Sequence, residues 1–472
     1  MADLHQRLMN KRAFQKVDIE FNTIESSSFD TESAPPPFEE EIIQISLNIT
    51  AEDTKHLLIL PYPKYDSNDG LIFKIKVKDV NFLGTMNTMD AAVFAGLKED
   101  LQTGNQNPIF GAEFKYSYPF LLGAFLGSWN NNFDLRYTTG IKELEFWTGT
   151  GFTFELPFQR FSLVLDLSEQ FNRDLEYDFY NDTQFFTSDL NFSVPVKICD
   201  IENWGYVFWT PYTDAKINYD KNGINKLNDD LASPVISAGE KLSTSRINWY
   251  GNFRNGLSVS LAHAIAYDFM QKEWEPRVSF ELQAFKAFKY IAFNTRINAF
   301  LTKSNRSTVG ELIRGIRDKQ KYLNANLNDF RTERALKTPS AIVMNLDIPV
   351  HIIETHWLDW SNLIFGEESW FSKTFAWTDK FNFELQASPF LDIALTKNES
   401  TGRLFSTKDG WYAGGIEFLC FPEHWKGIVM RASLGIDLGR KLISKKLPEK
   451  IDMSWRSNVK SYEIYAGIGL HY

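Results

Sequence analysis

The sequence predicts an all-β fold, a 16-stranded antiparallel transmembrane β-barrel preceded by a short α+β module. Three observations support this prediction. Aromatic residues make up 15% of the 472 residues, yet the mean hydropathy is only −0.29 and 23% of the residues are charged. Apolar and polar residues alternate along most of the chain, in segments of about 9–14 residues. Apolar side chains at every second position are typical of strands with one apolar face.

The alternation gives 16 or 17 segments between Leu57 and Tyr472, separated by polar turns or loops. It is clear in the last segment, where one face carries Tyr462, Ile464, Ala466, Ile468, Leu470 and Tyr472. Because closed barrels in the outer membrane favour an even number of strands, we expect 16.

Soluble β-sandwiches are the alternative interpretation of this pattern. Soluble strands average about 5–6 residues, and long ladders leave sheet edges that need protection. Tilted strands of about 9–11 residues with a continuous apolar face match the thickness of a bilayer. Backbone groups in lipid must all be paired, which requires closure into a barrel. Aromatic residues near segment ends, among them Trp129, Trp209 and Trp274, resemble the girdles at membrane interfaces.

Composition and motifs exclude several classes of function. The net charge of −10 argues against a general nucleic-acid binder. Cys199 and Cys420 are too few for a disulfide scaffold or a Cys-rich metal site. The sequence has neither a G-x-S-x-G elbow nor a Walker sequence, and its seven histidines form no metal-binding motif. We therefore expect no enzymatic activity, no cofactor and no metal.

Residues 1–55 differ from the rest of the chain. Residues 4–14 have the pattern of a short amphipathic helix, residues 17–21 and 43–49 alternate like strands, and the proline-containing residues 25–41 indicate a loop. Residues 1–10 lack the apolar stretch of a secretory signal. The residues by themselves leave two alternatives, a cytoplasmic protein and a chain from which a leader has been removed.

Two stretches near the N-terminus carry motifs of a known family. In residues 3–21, Leu8, Asn10, Phe14 and Val17 match the L-x-N-x-x-x-F-x-x-V pattern. This stretch resembles the second helix and second strand of a POTRA module, a periplasmic βααββ unit. Residues 79–85 have the sequence DVNFLGT. They resemble the end of the first barrel strand of the BamA/TamA superfamily of outer-membrane assembly and translocation barrels, in which POTRA modules also occur.

Two further stretches in the C-terminal half carry the same resemblance. Residues 313–318, IRGIRD, resemble the V-R-G-F/Y motif of the family's sixth external loop. The segment 341–350 resembles the strand after that loop, with Asp347 in place of Glu. Residues 390–394, FLDIA, resemble the F-x-D-x-G motif and depart from it at Ala394. Five strand-like segments follow the R-G motif, which is the number that the family has there.

The resemblance implies a domain organisation and a function. Residues 1–55 would be the C-terminal part of a POTRA domain, and residues 56–472 a barrel with a long loop at 303–338. The chain would be an outer-membrane assembly factor that folds or inserts β-barrel clients through a weak seam between its first and last strands. The alternatives are a two-partner-secretion or autotransporter-assembly translocator of the same superfamily, and a passive porin.

The resemblance also implies a location and partners. The location is the bacterial outer membrane, with the signal peptide removed or truncated from this chain. The partners are outer-membrane lipids and unfolded β-barrel client proteins, with periplasmic chaperones or accessory lipoproteins as further partners and no nucleic acid.

Arg314, Gly315, Asp347 and Asp392 are the candidate residues of a lock between the loop and the lumen. Gly315 permits a backbone turn that other residues resist, so the loop tip is able to fold back into the barrel. Both aspartates fall on the polar face of their strands by parity. We expect Arg314 to meet Asp392, with Asp347 as a second acceptor. The alternatives are a solvated basic loop that faces lipopolysaccharide or water, and ordinary lumen carboxylates in water at Asp347 and Asp392.

Gly467 and Gly469 are the candidate residues of the seam. Glycine inside a strand weakens its pairing and allows bends. We therefore expect residues 462–472 to pair with residues 71–79 through fewer hydrogen bonds than other neighbours make. The alternative is that the glycines leave room for a bulky neighbour in the lumen.

Overall fold

The structure is a computed structural model of the whole chain. It describes residues 14–24, 44–53, 56–66, 70–99, 106–139, 143–173, 184–202, 204–220, 223, 234–303, 307–309, 312–316, 337–367, 369–374, 376–397, 402–423, 429–446 and 462–469.

The N-terminal residues form a two-stranded antiparallel sheet. Strand β1 (Phe14–Ile24) pairs with β2 (Gln44–Asp53). Both expected strands of the N-terminal module are therefore present. The expected helix at 4–14 lies almost entirely outside the described residues, because only its last residue, Phe14, is described, at the start of β1.

The rest of the described chain forms a closed antiparallel barrel of 18 strands, β3 to β20, in which sequential strands are neighbours. Their bounds are Leu57–Asp66, Gly70–Asp79, Met89–Glu99, Gln106–Leu122, Phe125–Thr138, Glu143–Pro157, Ser162–Arg173, Gln184–Ser193 continued by Val196–Ile201, Gly205–Tyr219, Val235–Tyr250, Phe253–Asp268, Glu273–Ala287, Ala292–Thr302, Ser340–Asp347 continued by Val350–Glu354, Phe383–Thr396, Trp411–Pro422, Met430–Asp437 and Tyr462–Ile468. Strands β10 and β16 are the interrupted ones, and each break contains a proline, Pro195 or Pro349, which cannot donate to the ladder.

The barrel has 18 strands where the sequence analysis predicted 16. One reason is β3, which carries Pro61 and Pro63 and lies before the segment that we expected to be the first strand. Proline in an alternating run argues against a strand unless that strand has a free edge. Apolar turns are a second reason: Gly123 and Ala124 join two strands without a polar break in the sequence.

The two rims of the barrel differ in their connections. One rim, here called the short-turn end, has tight turns such as Gly251–Asn252 and the connection of residues 288–291. The opposite rim, here called the loop end, carries the connection 303–339 between β15 and β16. The outer face of the wall is apolar and exposed, as Val93, Phe110 and Leu261 illustrate.

A hydrophobic core lies inside the barrel near β16 to β18. Three of its buried side chains come from the loop 303–338, and the others come from strand residues that face the lumen. Its members are Val309, Ile313, Ile316, Ala341, Val343, Ala394, Trp411 and Ala413, with Phe300 and Leu312 packed against them.

Helices are few in the described chain. Helix α1 (Trp357–Phe365), helix α2 (Trp370–Thr374) and the 3₁₀ turn Ala376–Phe381 occupy the connection between β16 and β17. Short helical turns also occur at Phe82–Gly84, Thr407–Asp409, Gly439–Ile443 and Ser444–Lys446. Within the described residues, no helix has the length and apolar character needed to cross a membrane.

Candidate functional site

The tip of the loop 303–338 reaches the lumen wall, where Arg314 lies between two carboxylates. Its Nε and NH2 donate to the two oxygens of Asp392, at 3.0 and 2.8 Å. Its NH1 donates to Asp347 Oδ1 at 2.7 Å, and its backbone N–H donates to Asp392 Oδ2 at 2.8 Å. The structure therefore brings together the arginine and both aspartates, with the bidentate geometry that a planar guanidinium allows.

Burial makes these contacts strong. Arg314 is 6% exposed, Asp347 4% and Asp392 0%. The guanidinium also lies over the ring of Phe390, with 4.0 Å from Cζ to the ring centroid. Burial alone would lower the pKa of Arg314, but the carboxylates of Asp392 and Asp347 raise it, and the net change is upward. Arg314 is therefore a permanent cation held by two anions in a site that excludes most water.

Gly315 allows the loop tip to approach the wall. Its φ of +81° lies in the left-handed region, which glycine adopts without strain. A Cβ at Gly315 would lie 2.9 Å from the backbone nitrogen of Ile436 in β19, so the space for a side chain is filled by backbone. The Gly315 N–H donates to the Glu463 carboxylate in β20. The loop tip thus contacts the last strand of the barrel directly.

The loop brings an apolar anchor as well as the arginine. Ile313 and Ile316 flank the lock and are 1% and 0% exposed. They pack against lumen-facing residues of β16 to β18, where Trp411 is 0% exposed. In addition, Asn345 in β16 donates from Nδ2 to the carbonyl of Leu312 at 2.7 Å. The tip is held by packing, by backbone contacts and by the ion pairs together.

Sequence reasoning missed two charged residues beside the lock. Glu417 Oε2 lies 3.9 Å from Arg314 NH1 and 3.6 Å from Arg431 NH1. The Arg431 guanidinium lies 4.0 Å from the centroid of the Tyr465 ring in β20. Parity could have placed Arg431 on the lumen side, because it shares a strand face with the polar Ser433 and Asp437 of β19. Glu417 shares its face with apolar lumen residues, Ala413 and Leu419 among them, so nothing in its strand indicated a polar face.

The barrel closes between β20 and β3 through a short pairing. Among the residues that the structure describes, Tyr465 pairs with Asp66 and Ala466 with Tyr65, whereas β19 and β20 share seven register pairs. The prediction that residues 71–79 pair with the last strand is wrong. That segment is β4, which pairs with β3 and β5, because β3 precedes it and occupies the closing position.

Two prolines explain why the closure is short. Strand β3 pairs with β4 without a register shift across Pro61 and Pro63. A proline nitrogen turned toward β4 would interrupt that ladder, so both nitrogens face the closing strand and offer it no donor. Continuing the closing register places Pro63 opposite Ile468, and the Ile468 carbonyl accepts instead from the Tyr62 hydroxyl at 2.7 Å. A side chain has replaced a missing backbone donor.

The two glycines of the last strand have different surroundings. Gly467 pairs with Arg431 of β19, and a Cβ there would lie 2.6 Å from the hydroxyl oxygen of Tyr465. This contact matches the alternative in which the glycine leaves room for a bulky neighbour. Gly469 follows the strand with a φ of +106° and donates its N–H to Val429 O at 2.7 Å. It follows Ile468, the last described residue of β20.

The described residues contain no group of three or more His, Cys, Asp or Glu side chains arranged to hold a metal ion. Cys199 is exposed and Cys420 is partly buried, and both are free thiols.

No protein-family model matches the sequence, and no curated protein matches it significantly. Solved structures are similar over most of the chain. BamA from Haemophilus ducreyi lacking POTRA domains 1–3 is 10% identical with a TM-score of 0.45, and the alignment covers 99% of this chain and 77% of that chain. The chain resembles BamA and CdiB. CdiB from Acinetobacter baumannii is 10% identical with a TM-score of 0.47, covering 99% of this chain and 68% of that one. CdiB from Escherichia coli is 10% identical with a TM-score of 0.46, and the alignment covers 97% of this chain and 68% of that chain.

Proposed function

We propose that the protein is an outer-membrane barrel that assembles or inserts client β-barrels through the closure between β3 and β20. The observation that carries the proposal is the short closure, which has two register pairs within the described residues, whereas the other neighbouring strands pair over seven or more. Unfolded β-barrel proteins and outer-membrane lipids are the proposed partners. Periplasmic chaperones or accessory lipoproteins would deliver the clients.

The physical basis is the cost of unpaired backbone groups in lipid. Each such group costs several kcal/mol, so a client strand cannot enter the hydrocarbon alone. A barrel that opens at a short closure presents a strand edge, and a client strand is able to pair with it by β-augmentation. Opening costs little when few hydrogen bonds are broken. Strand β20 is the better template, because the prolines remove donors from the facing edge of β3.

Contacts to the loop support a link between the lock and this closure. The Gly315 N–H of the loop tip donates to the Glu463 carboxylate of β20. Beside the lock, Arg431 of β19 lies near Glu417 and over the Tyr465 ring of β20. The loop tip therefore holds the strand that would move. In this proposal the lock keeps the barrel closed and the lumen filled between client cycles.

A disulfide across the closure tests the proposal. Tyr65 and Ala466 are register partners, so their Cα atoms are within disulfide range. We would introduce Tyr65→Cys and Ala466→Cys in a Cys199→Ser, Cys420→Ser background and measure client insertion into vesicles. We expect the oxidised form to lose insertion and the reduced form to regain it.

The matched control is a cysteine pair at Ala262 and Ser279, register partners in two strands that pair along most of their length. Oxidation of the control should leave insertion unchanged. Full insertion by the oxidised Tyr65–Ala466 pair would show that the closure does not open in function.

A further inference from the structure

The connection between β16 and β17 is unlike the other connections between described strands at the short-turn end. It runs from residue 355 to residue 382, whereas its neighbour between β14 and β15 spans only residues 288–291. It contains Trp357, Trp360, Trp370 and Trp377, four of the 13 tryptophans in the protein. The lock and the closure involve none of these residues.

Large apolar side chains of this connection are exposed. Leu363 is 86% exposed, Ile364 71% and Trp370 74%, and helix α1 has no buried residue. Trp377 and Phe381 are also about half exposed. Scattered apolar residues are normal on a surface, but a contiguous apolar patch marks an interaction site.

Helix α1 carries an exposed apolar face. Trp357, Trp360 and Ile364 follow the i, i+3, i+7 spacing that places side chains on one face, with Leu363 beside them. Asn362 and Leu358 lie on the opposite side of the helix and are only partly exposed. A nine-residue helix with such a stripe is too short to cross a bilayer and suited to lie along a surface.

The base of the connection is fixed to the barrel rim. The Trp357 backbone N–H donates to Asn382 Oδ1 at 3.0 Å, and its indole N–H donates to the Phe381 carbonyl at 3.2 Å. Thr355 makes three hydrogen bonds with Phe383. Its N–H and its hydroxyl donate to the Phe383 carbonyl at 2.9 and 3.2 Å, and its hydroxyl oxygen accepts from the Phe383 N–H at 2.8 Å. The helix therefore starts at the level where the strands end.

The apolar patch continues the outer face of the barrel. Ile352 and Ile353, just before the connection, are 54% and 40% exposed. The adjacent turn carries Phe288 and Tyr290, which are exposed at the same rim. Tyr290 O accepts from the His351 N–H at 2.8 Å, so the turn and β16 are in contact. The face that would meet lipid and the face of the connection form one surface.

We infer that residues 356–381 form an interfacial segment that lies in the phospholipid headgroup region at the short-turn end of the barrel. Tryptophan prefers this region because its ring is apolar and its N–H is polar. The segment has four acidic residues, Asp359, Glu367, Glu368 and Asp379, against the two basic residues Lys373 and Lys380. Binding is therefore driven by apolar burial and does not require anionic lipid. The partner of this surface is the lipid monolayer.

Site-directed spin labelling of the full chain tests the inference. We would place a nitroxide at Ile364→Cys in the Cys199→Ser, Cys420→Ser background and reconstitute the protein in phosphatidylcholine vesicles. The measurement is the ratio of collision rates with dissolved oxygen, which enters lipid, and with a water-soluble nickel chelate. We expect this ratio to be several-fold higher at position 364 than at the matched control Asn362→Cys.

A second label at Leu363→Cys makes the test independent of one side chain. We expect the ratio of oxygen to nickel collision rates at position 363 to match the ratio at position 364. Both sites are exposed, so labelling does not disturb packing. Equal nickel access at positions 362 and 364 in vesicles would overturn the inference and assign the patch to a soluble protein partner. The readout involves no client, so it is separate from the test of the closure.

Discussion

Arg314 shows how one side chain joins a loop to a barrel wall. Its guanidinium meets two aspartates from two strands, and all three residues are nearly inaccessible to water. A buried ion pair of this kind is not a large net source of stability, because desolvation offsets much of the attraction. Loss of one partner is costly, because a charge is then left buried without compensation.

Removal of either partner should therefore loosen the loop tip. We expect Arg314→Ala or Asp392→Ala to cost about 3–5 kcal/mol, a fall of roughly 10²-fold or more in amide protection. The double variant should cost little more than either single variant, because the residues act as a unit. Hydrogen exchange of residues 312–316 measures the effect. Strictly additive losses would contradict the lock.

The exposed pair Lys303–Glu273 supplies the control. Its Nζ–Oε2 distance of 2.8 Å is as short as those of the lock, but both side chains are 52% exposed. Lys303→Ala should change loop-tip protection by about 0–1 kcal/mol at most. Because the two ion pairs are equally short, a larger effect at the Arg314–Asp392 pair would result from its burial and not from its distance.

The residues of the lock could be named from the sequence because parity and a motif pointed to them together. Asp347 and Asp392 lay on polar faces, and Gly315 marked a turn. Glu417 was not predicted, because its strand carries apolar residues on the lumen side. The apolar residues of β18 face the lumen because the loop 303–338 supplies apolar side chains that pack against them. The sequence of one strand does not show which other segment will cover its inner face.

At the scale of the strand, β3 combines two properties that oppose each other. It alternates well enough to pair with β4 along its whole length, yet its prolines leave the other edge poor in donors. Because of these prolines, β3 was not predicted to be the strand that closes the barrel. The alternation of apolar and polar residues shows which side chains of a strand share a face. Which strands pair with its two edges depends on residues that are distant in the sequence.

Restoring the donors should lengthen the closure. We expect Pro61→Val with Pro63→Val to raise the temperature at which the folded barrel unfolds in detergent and to slow client insertion. Each recovered backbone hydrogen bond contributes about 0.5–1.5 kcal/mol. Heat-induced gel shift and the vesicle assay give the two readouts.

Pro276→Val is the matched control, because Pro276 lies in β14, which pairs with strands on both sides. It should affect unfolding without slowing insertion. Faster insertion by the Pro61, Pro63 variant would contradict the role of the closure.

At the scale of the molecule, the lumen is occupied on the side of β16 to β18, which a passive pore does not require. The loop tip and its apolar core occupy the interior beside β16 to β18. We expect rare conductance events for the unmodified protein in planar bilayers. The Arg314→Ala, Asp392→Ala variant should conduct more often, because its loop tip is released. Steady conduction by the unmodified protein would favour the passive porin.

The fold class, the antiparallel closure and the five strands after the loop were predictable, because long alternating segments fix them. The strand number was not, since prolines and apolar turns blur the ends of segments. The helical connection at 355–382 was not predicted either. Its apolar residues lie beside strands that are equally rich in aromatics, and composition does not separate the two.

The contacts of the loop tip also set an order of assembly. Arg314 precedes its partners along the chain: Asp347 by 33 residues, Asp392 by 78, and Gly315 precedes Glu463 by 148. During folding the arginine has no buried counter-charge until β16 and β17 have formed around it. The C-terminal sector should therefore fold around the loop as a unit, and β20 should dock last against a surface that is already complete. In such a barrel the interior contacts form before the wall closes. Docking of the final strand is then the step of folding that can still be reversed.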